Sequence, residues 1–307
     1  VHSGVIPPEN KAFTKHSAVE ETTLEHACAV EDSLQFGTLM AEVCDDMEKM
    51  YNMVGGKLQL HLNYQATGTH YGYGEWIAED QRESPVFIRS PECQLLLKQT
   101  YGLRQGKGLS CPIALLVTAD LMRVWKLDLI GDEPGEHPYV MNTIDPRTGK
   151  KPTLKAISYV DDNALYTTAK TAAKLIWRAQ QYINLASAFY NVSRQARKCP
   201  KSFVRLYGLN PEEQKTVRPF TSIAWSYALE RPVKDTINTI VQTSHYYPDD
   251  IDTDEGEYVW DHNADSYGQR NPDQRKERHF GTFIDMMGQT DSLYKLRTMK
   301  TNINTIH

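Results

Sequence analysis

Two adjacent carboxylates between two β-forming runs constrain this chain more than any other feature. Asp161 and Asp162 separate residues 153–160 from residues 163–167. Asp and Asn tolerate the left-handed conformations that tight turns require, so residues 161–163 are predicted to form the tip of a β-hairpin. Adjacent like charges repel, and burying either carboxylate is costly unless a cation lies beside it. For an Asp-Asp pair considered alone, a solvated surface turn is the alternative.

A second acidic pair follows a second apolar run. Residues 38–44 suit a buried strand, which leads into Asp45 and Asp46. If this strand and the hairpin are neighbours, the two acidic pairs can face each other across a gap of the size of a metal ion. Hard carboxylate oxygens are the ligands that Mg²⁺ prefers. The two segments therefore predict a shared metal site.

A glycine-rich loop over residues 101–110 opens a predicted helix with an apolar face. Glycines allow close approach of the backbone to a ligand, and the start of a helix can face a phosphate. An ordinary connection is an equally good interpretation of this loop on its own. The apolar face is formed by Ile113, Leu116, Val117, Leu121 and Val124.

The remaining periodicity predicts further helices and strands. A solvated face is the usual interpretation of a basic cluster, but the one that follows the long helix near the acidic hairpin favours contact with phosphates. That cluster contains Arg194, Arg197, Lys198, Lys201 and Arg205. Predicted helices cover 17–36, 55–83 with a break near 67–74, 172–186 and 292 onward; predicted strands cover 86–88, 95–97, 217–225 and 278–285; and 249–265 is predicted to be an exposed acidic insertion.

Composition describes a globular chain without a membrane segment. The 307 residues are 40% hydrophobic and 24% charged, enough for one large domain or two ordinary ones. Five scattered cysteines without a Cys-x-x-Cys spacing favour a reducing intracellular compartment, cytoplasm or nucleus, and no zinc site. A net charge of −5 weighs weakly against nucleic-acid binding, although net charge hides local clustering.

The order of elements predicts an α+β fold, an antiparallel sheet with helices packed on one face. Three segments are expected: residues 1–37 with an irregular lead-in and one helix, 38–290 with the sheet, and 291–307 at the start of a last helix. The middle segment includes the helices and hairpin of 55–100 and the insertion near 249–265.

Three segments in this order resemble the motifs of reverse transcriptases. Residues 159–162 are similar to the Tyr-x-Asp-Asp motif, and residues 46–51 are similar to the Asp-x-x-Lys-Ala-aromatic segment. Residues 102–110 are similar to Gly-x-x-Gln-Gly-x-x-Leu-Ser, and residues 279–281 more weakly to the primer grip. Over about 17–305, the chain resembles the enzymes of non-LTR retrotransposons and group II introns. The resemblance implies a right-hand palm over 38–290, a fingers remnant before it and the start of a thumb after it.

The resemblance implies that the chain copies an RNA template into DNA, from a DNA primer and dNTPs, by two-metal-ion nucleotidyl transfer. It implies two Mg²⁺ ions, with Mn²⁺ as a substitute, held by Asp46 and Asp161 with help from the Met47 carbonyl. Asp162 would contribute secondarily. Asp45 competes with Asp46, but only Asp46 has an aromatic residue five positions on.

The resemblance also implies roles in binding substrates. Tyr51 would lie beneath the sugar and favour deoxyribonucleotides, while Gln105 and Gly106 would position the nucleotide and template. His279, Phe280 and Gly281 would form the primer grip. Lys198, or Arg197, would protonate the pyrophosphate.

Some family features are missing from this chain. Only about forty residues precede Asp46, without the Arg-Pro-Ile-like stretch that clamps the triphosphate, so the chain alone is expected to lack full activity. Additional fingers or thumb segments, or a host RNA in a ribonucleoprotein, would then be partners. Lys107 and Gly108 replace an acidic-Pro pair, and Cys111 replaces a proline. The alternatives are an inactive scaffold that binds RNA or protein, and an RNA-dependent RNA polymerase, which Tyr51 disfavours.

Overall fold

The structure is a computed structural model of the 307-residue chain. It describes residues 6–12, 19–67, 85–89, 94–98, 102–103, 110–126, 138–241, 258–261, 266–269, 276–279 and 282–285. The helices of these residues are α1 (Val19–Phe36), α2 (Met50–Met53), α3 (Gly56–Thr67), α4 (Ser110–Lys126), α5 (Ala172–Ser193) and α6 (Pro211–Gln214). None of these described helices is long and apolar enough to cross a membrane.

Fourteen strands are found in the described residues, and most belong to one sheet. In chain order they are β1 (Met40–Asp46), β2 (Pro85–Arg89), β3 (Gln94–Lys98), β4 (Tyr139–Val140), β5 (Thr153–Leu154), β6 (Ala156–Tyr159), β7 (Asp162–Thr168), β8 (Phe203–Tyr207), β9 (Phe220–Ser226), β10 (Arg231–Val241), β11 (Tyr258–Asp261), β12 (Ser266–Gln269), β13 (Lys276–His279) and β14 (Thr282–Asp285).

The main sheet has the order β6-β7-β1-β8-β10-β11-β12, and β9 pairs with β10. β1 is antiparallel to both of its neighbours, β7 and β8. β10, however, runs parallel to β8, so the prediction of a purely antiparallel sheet is wrong at this pair. The chain between them contains α6 and β9, long enough to bring β10 back in the same direction as β8.

Helices cover both faces of the sheet at β1, so the prediction of helices on one face is wrong for α1. Ala41 and Val43 pack in a core with α4 and α5, whereas Met40 and Cys44 pack in a second core with Val30 and Leu34 of α1. Residues 40–45 are all buried. A strand without polar alternation is typical of one covered on both faces.

Residues 9–11 lie against the edge of β6. Asn10 forms a parallel bridge with Ser158. The amide of Lys11 donates to the carbonyl of Ser158 at 2.9 Å, and the amide of Ser158 donates to the carbonyl of Glu9 at 2.9 Å. These residues belong to the predicted irregular lead-in, and they extend the sheet by one short segment.

Most local predictions agree with the structure. The helix predicted at 17–36 is α1, the long helix after the hairpin is α5, and the two short strands after residue 84 pair as β2 and β3. The strand predicted at 217–225 is confirmed as β9, which begins at Phe220. The apolar face predicted for α4 is confirmed at Ile113, Leu116, Val117 and Leu121, and Val124 is half-buried.

Two predictions near the C-terminus are wrong. β11 occupies part of the segment predicted to be an exposed acidic insertion, and it pairs with the main-sheet strand β10. The single strand predicted at 278–285 is a pair, because β13 and β14 are antiparallel to each other. The predicted helix from 292 onward and the predicted break in the helix near 67–74 lie outside the described residues, apart from Thr67, which ends α3.

Candidate active site

The hairpin of β6 and β7 is present, but its turn differs from the prediction. Tyr159 pairs with Asp162, which leaves Val160 and Asp161 as a two-residue loop. Val160, with φ of 62°, takes the positive backbone angle that was predicted for Asp or Asn, and Asp162 already belongs to β7. A positive φ at the first loop position is the pattern of a type II′ turn. Because valine is β-branched, this conformation costs on the order of 1–2 kcal/mol.

Asp46 lies directly across from Asp162 in the pairing of β1 with β7. Burial of the Asp46 carboxyl is the largest cause that raises its pKa, to about 6 from an ordinary 3.8, and the nearby Asp161 and Asp162 raise it further. Lys201 acts in the opposite direction, with its Nζ 3.9 Å from Asp46 Oδ2. Three carboxyl groups from two distant segments therefore converge at this end of the sheet.

This convergence suits a hard divalent cation. Within the described ranges, no group of three or more His, Cys, Asp or Glu side chains is arranged so that it could hold a metal ion. Mg²⁺ in phosphoryl-transfer sites uses one or two carboxylates, and waters and substrate phosphates supply the other ligands. A cation beside Asp46 would offset the burial and, secondarily, the repulsion from Asp161 and Asp162 that raise its pKa. The donor set therefore fits Mg²⁺.

The preceding residue, Asp45, has a different partner, which binds both of its carboxylate oxygens. The Arg197 guanidinium holds both Asp45 carboxylate oxygens, with Nε at 2.8 Å from Oδ1 and Nη2 at 2.9 Å from Oδ2. Both side chains are about 1% exposed. Successive residues of a strand point to opposite faces, so Asp45 turns toward α5 and Asp46 away from it. Of the two carboxylates, only that of Asp46 is therefore partly exposed and not held by an arginine.

The basic cluster divides into buried and accessible members. Arg197 is enclosed, and Arg205 is buried with its Nη1 3.9 Å from Glu42 Oε2, so the predicted phosphate contacts are wrong for both arginines. Lys198 is half-buried beside Asp46, and Lys201 is mostly exposed. Both ammonium groups lower the pKa of Asp46. Lys201 was not singled out as a site residue from the sequence; its position three residues after Lys198 was the available signal.

Tyr51 lies near the start of α4 and near the hairpin tip. Its hydroxyl donates to Cys111 Sγ at 3.8 Å. Burial raises the pKa of Tyr51 to about 12, the hydrogen bond to Cys111 adds to this, and the charge of Asp161 contributes as well. Tyr51, Cys111 and Asp161 thus lie close together, although they belong to segments that are far apart in the sequence.

The glycine-rich loop is attached at both of its described ends. At its beginning, Gly102 donates to the Val54 carbonyl at 3.2 Å, and Leu103 donates to the Tyr51 carbonyl at 2.5 Å. Gly102 has φ of +86°, and a Cβ at this position would lie 2.4 Å from the Asn52 carbonyl oxygen. At its other end, Cys111 contacts the Tyr51 hydroxyl.

Several predicted site residues are not located at this site by the described part of the chain. Gln105, Gly106, Phe280 and Gly281 lie outside the described residues, and His279 ends β13. The side chain of Met47 is buried. Met47 and Arg197 form an isolated antiparallel bridge, whose two hydrogen bonds involve the Asp46 carbonyl and the Glu48 amide. The Met47 carbonyl, which the resemblance assigns to the metal, takes no part in these two bonds.

No family model and no curated protein matches this sequence. Among solved structures, the chain is similar to telomerase from Candida tropicalis in a complex with a TWJ fragment of telomeric RNA, at 11% identity and a TM-score of 0.41 over 64% of this chain and 30% of that one. For the corresponding Candida albicans complex, the values are 12%, 0.39, 69% and 33%. The chain spans about a third or less of those proteins.

Proposed function

We propose that this chain is the palm of a metal-dependent nucleotidyltransferase, and more specifically of a reverse transcriptase from a retroelement. The observation that carries the proposal is the pairing of β1 with β7, in which Asp46 lies across from Asp162 at the tip of the hairpin. The raised pKa of Asp46 supports it, because it reflects a partly buried carboxyl close to Asp161 and Asp162. Asp45 does not compete, since Arg197 already binds it.

In this proposal Asp46 and Asp161 are the ligands of two Mg²⁺ ions, helped by the Met47 carbonyl, and Asp162 increases the negative field. When bound, the metal ions activate the primer 3′-hydroxyl and stabilise the leaving pyrophosphate. The protein's own part is to hold the carboxylates on rigid strands. Mn²⁺ is expected to replace Mg²⁺, because it also accepts oxygen ligands.

The two accessible lysines serve the triphosphate. Lys198 is the proposed proton donor to the pyrophosphate, and its main-chain amide already donates to the Asp46 carbonyl at 2.8 Å. Lys201 adds a second positive charge beside Asp46. An ammonium group beside a phosphate stabilises the negative charge that develops on the leaving group.

The remaining assignments concern nucleic acid and nucleotide. Tyr51 is proposed to lie beneath the sugar and to exclude the 2′-hydroxyl, which favours DNA synthesis. Gln105 and Gly106 would position the nucleotide and template, and His279, Phe280 and Gly281 the primer. An RNA template, a DNA primer and dNTPs are the proposed partners. Further fingers and thumb segments are proposed to complete the enzyme.

Primer extension on an RNA template tests the proposal. With Mg²⁺ and dNTPs, the chain completed by the proposed fingers and thumb segments is expected to extend a DNA primer, and Asp161→Asn is expected to reduce extension by about 10²–10³-fold, as expected for loss of a group that stabilises the transition state. Glu212→Gln is the matched control. Glu212 is exposed on α6, so this substitution removes one negative charge at a position away from the site. Extension that survives Asp161→Asn would contradict the metal assignment.

The same assay separates the alternatives. RNA binding without extension, even after addition of the proposed fingers and thumb segments, would favour a scaffold. Equal use of ribonucleotides and deoxyribonucleotides would contradict the role of Tyr51. In that case Tyr51→Ala would leave nucleotide selection unchanged, whereas the proposal predicts that this variant incorporates ribonucleotides more readily.

A further inference from the structure

A short segment, residues 195–202, runs alongside the end of β1; we refer to it as the strap. The main-chain groups of Asp46 are bonded to it on both sides. The Asp46 amide donates to Ser202 Oγ at 3.1 Å, and the Lys198 amide donates to the Asp46 carbonyl at 2.8 Å. Two residues after Asp46, the Glu48 amide donates to the Ala196 carbonyl at 2.8 Å. The strap therefore determines where the backbone of Asp46 lies.

The centre of the strap is anchored by Arg197. Besides its two bonds to Asp45, its Nη1 donates to Ser187 Oγ at 3.0 Å and also to Ser222 Oγ. Its Nη2 donates to the Ile183 carbonyl at 3.4 Å. Arg197 thus joins the strap to β1, α5 and β9.

Stabilisation of the fold does not by itself account for the buried ion pair between Arg197 and Asp45. The desolvation of a buried ion pair can exceed its Coulombic gain, and well-packed apolar residues are often as stable in its place. A bidentate arginine–carboxylate pair, in contrast, is specific in direction. Here it fixes the side chain immediately before Asp46. The Ser202 hydroxyl lies between the two residues, because it accepts from the Asp46 amide and has two acceptors for its one proton, the Lys198 carbonyl at 3.3 Å and Asp45 Oδ1 at 3.5 Å.

We propose that Arg197, acting through Asp45 and Ser202, is a positioning residue that directs the Asp46 carboxylate toward the hairpin and so sets the affinity of the site for a divalent cation. The identity of the bound cation rests on the proposed function. Arg197 itself contacts neither the cation nor the substrate. This gives a role to Asp45, which the sequence analysis named only as the competitor of Asp46, and to Arg197, which it named in the basic cluster and as the alternative to Lys198.

The experiment measures binding of Mn²⁺ to the full chain by the electron paramagnetic resonance signal of the free ion, without nucleotide or nucleic acid. Arg197→Lys keeps the charge but loses the bidentate fork. It is expected to weaken Mn²⁺ binding about tenfold, the lower end of the effect of groups that orient metal ligands. Arg178→Lys is the matched control, since Arg178 is also fully buried, on α5, and donates to the Thr168 carbonyl.

The outcomes separate this inference from the proposed function. An unchanged Kd in Arg197→Lys, or an equal loss in Arg178→Lys, overturns the positioning role while the metal site stands. Absence of Mn²⁺ binding in the unmodified chain overturns both. If Arg197→Lys does not fold, the Kd of Ser202→Ala for Mn²⁺ tests the positioning role instead. This variant removes the acceptor of the Asp46 amide. A severalfold weaker Kd in that variant supports the role, and an unchanged Kd rejects it.

Discussion

Asp45 and Asp46 are adjacent residues of the same type in opposite surroundings. Asp45 is buried and shares both carboxylate oxygens with Arg197. Asp46 is partly exposed at 18% and has two further carboxyl groups nearby that raise its pKa. Their different environments follow from the alternation of side chains along β1. At this scale, charge compensation decides which carboxylate supports the fold and which one is available to a ligand.

The Asn variants of these two residues should have opposite effects on stability. Asp45→Asn leaves a buried guanidinium without its counter-charge and should lower the free energy of unfolding by about 3–5 kcal/mol. Asp46→Asn removes a carboxylate that repels its neighbours and should raise the free energy of unfolding, in chelator, by on the order of 1 kcal/mol. Urea denaturation at pH 7.5 measures both. A destabilised Asp46→Asn would show that this carboxylate is already compensated within the chain.

Among the secondary-structure elements, a buried polar network ties α1 to the sheet. His26 Nδ1 lies 2.7 Å from the Tyr166 hydroxyl on β7 and 3.3 Å from Glu42 Oε1 on β1. The Tyr207 hydroxyl of β8 donates to Glu42 Oε2 at 2.9 Å. Arg205 lies beside Glu42 and Tyr207, and Cys44 Sγ donates to Glu42 Oε1 at 3.2 Å. The network explains how polar residues are accommodated in a strand covered on both faces.

The network predicts acid sensitivity of the fold. Burial lowers the pKa of His26, Glu42 acts to raise it, and Arg205 lowers it further. The unfolded chain therefore takes up a proton near pH 6.5 that the folded chain does not, so the free energy of unfolding should fall as pH decreases below 6.5. The slope for this one proton is at most about 1.4 kcal/mol per pH unit.

Denaturation at pH 7.5 and at pH 5.5 tests the role of His26. The His26→Gln variant keeps polar atoms at this position without a group that titrates in this range. Its stability should change less between the two pH values than that of the unmodified chain. An equal change in both proteins would assign the acid sensitivity to other groups.

The start of the glycine-rich loop depends on close backbone packing with α2. Gly102→Ala should lower the free energy of unfolding by more than about 2 kcal/mol, because it combines a positive φ with a Cβ 2.4 Å from the Asn52 carbonyl oxygen. Gly149→Ala is the control: Gly149 also has a positive φ, +66°, but nothing lies within 4 Å of its Cβ position. Thermal unfolding of both variants compares the two costs. Equal shifts would mean that the contact with Asn52 relaxes easily.

At the scale of the whole molecule, the N-terminal residues close the edge of the sheet. Glu9 and Lys11 bond to Ser158 on β6, and Asn10 Nδ2 donates to Thr118 Oγ1 on α4 at 2.9 Å. An uncovered strand edge is a site for aggregation. β6 carries one side of the acidic hairpin, so these residues also support the candidate site.

Deletion of residues 1–12 should therefore destabilise the chain and promote its association. The loss of these hydrogen bonds predicts a decrease of roughly 1–4 kcal/mol in the free energy of unfolding. Lys11→Ala serves as the control, since it removes a partly exposed ion pair with Glu25, worth less than about 1 kcal/mol. Denaturation and light scattering report stability and association. An unaffected deletion variant would show that the edge of β6 is not protected by this segment.

The sequence alone was sufficient to predict the local helices and strands and to select the candidate acidic residues. Periodicity within one window predicts α1 and α5, and the β-forming runs around Asp161 and Asp162 predict a hairpin, because these patterns depend on neighbours in the chain. The sequence was not sufficient to predict which residues form the turn of this hairpin. The pairing of Tyr159 with Asp162 sets the loop, and this register leaves Val160 to take the positive φ.

The amino-acid sequence is therefore enough to predict which residues can form strands, helices and an acidic site, since side-chain chemistry and spacing are local properties. Three features could be read only from the folded chain: Asp46 is accessible and Asp45 is not, Arg197 and Arg205 are enclosed, and β10 is parallel to β8. Each of these depends on contacts between residues far apart in the chain. Burial and partner choice follow from such contacts, so the same residue type has opposite roles at adjacent positions.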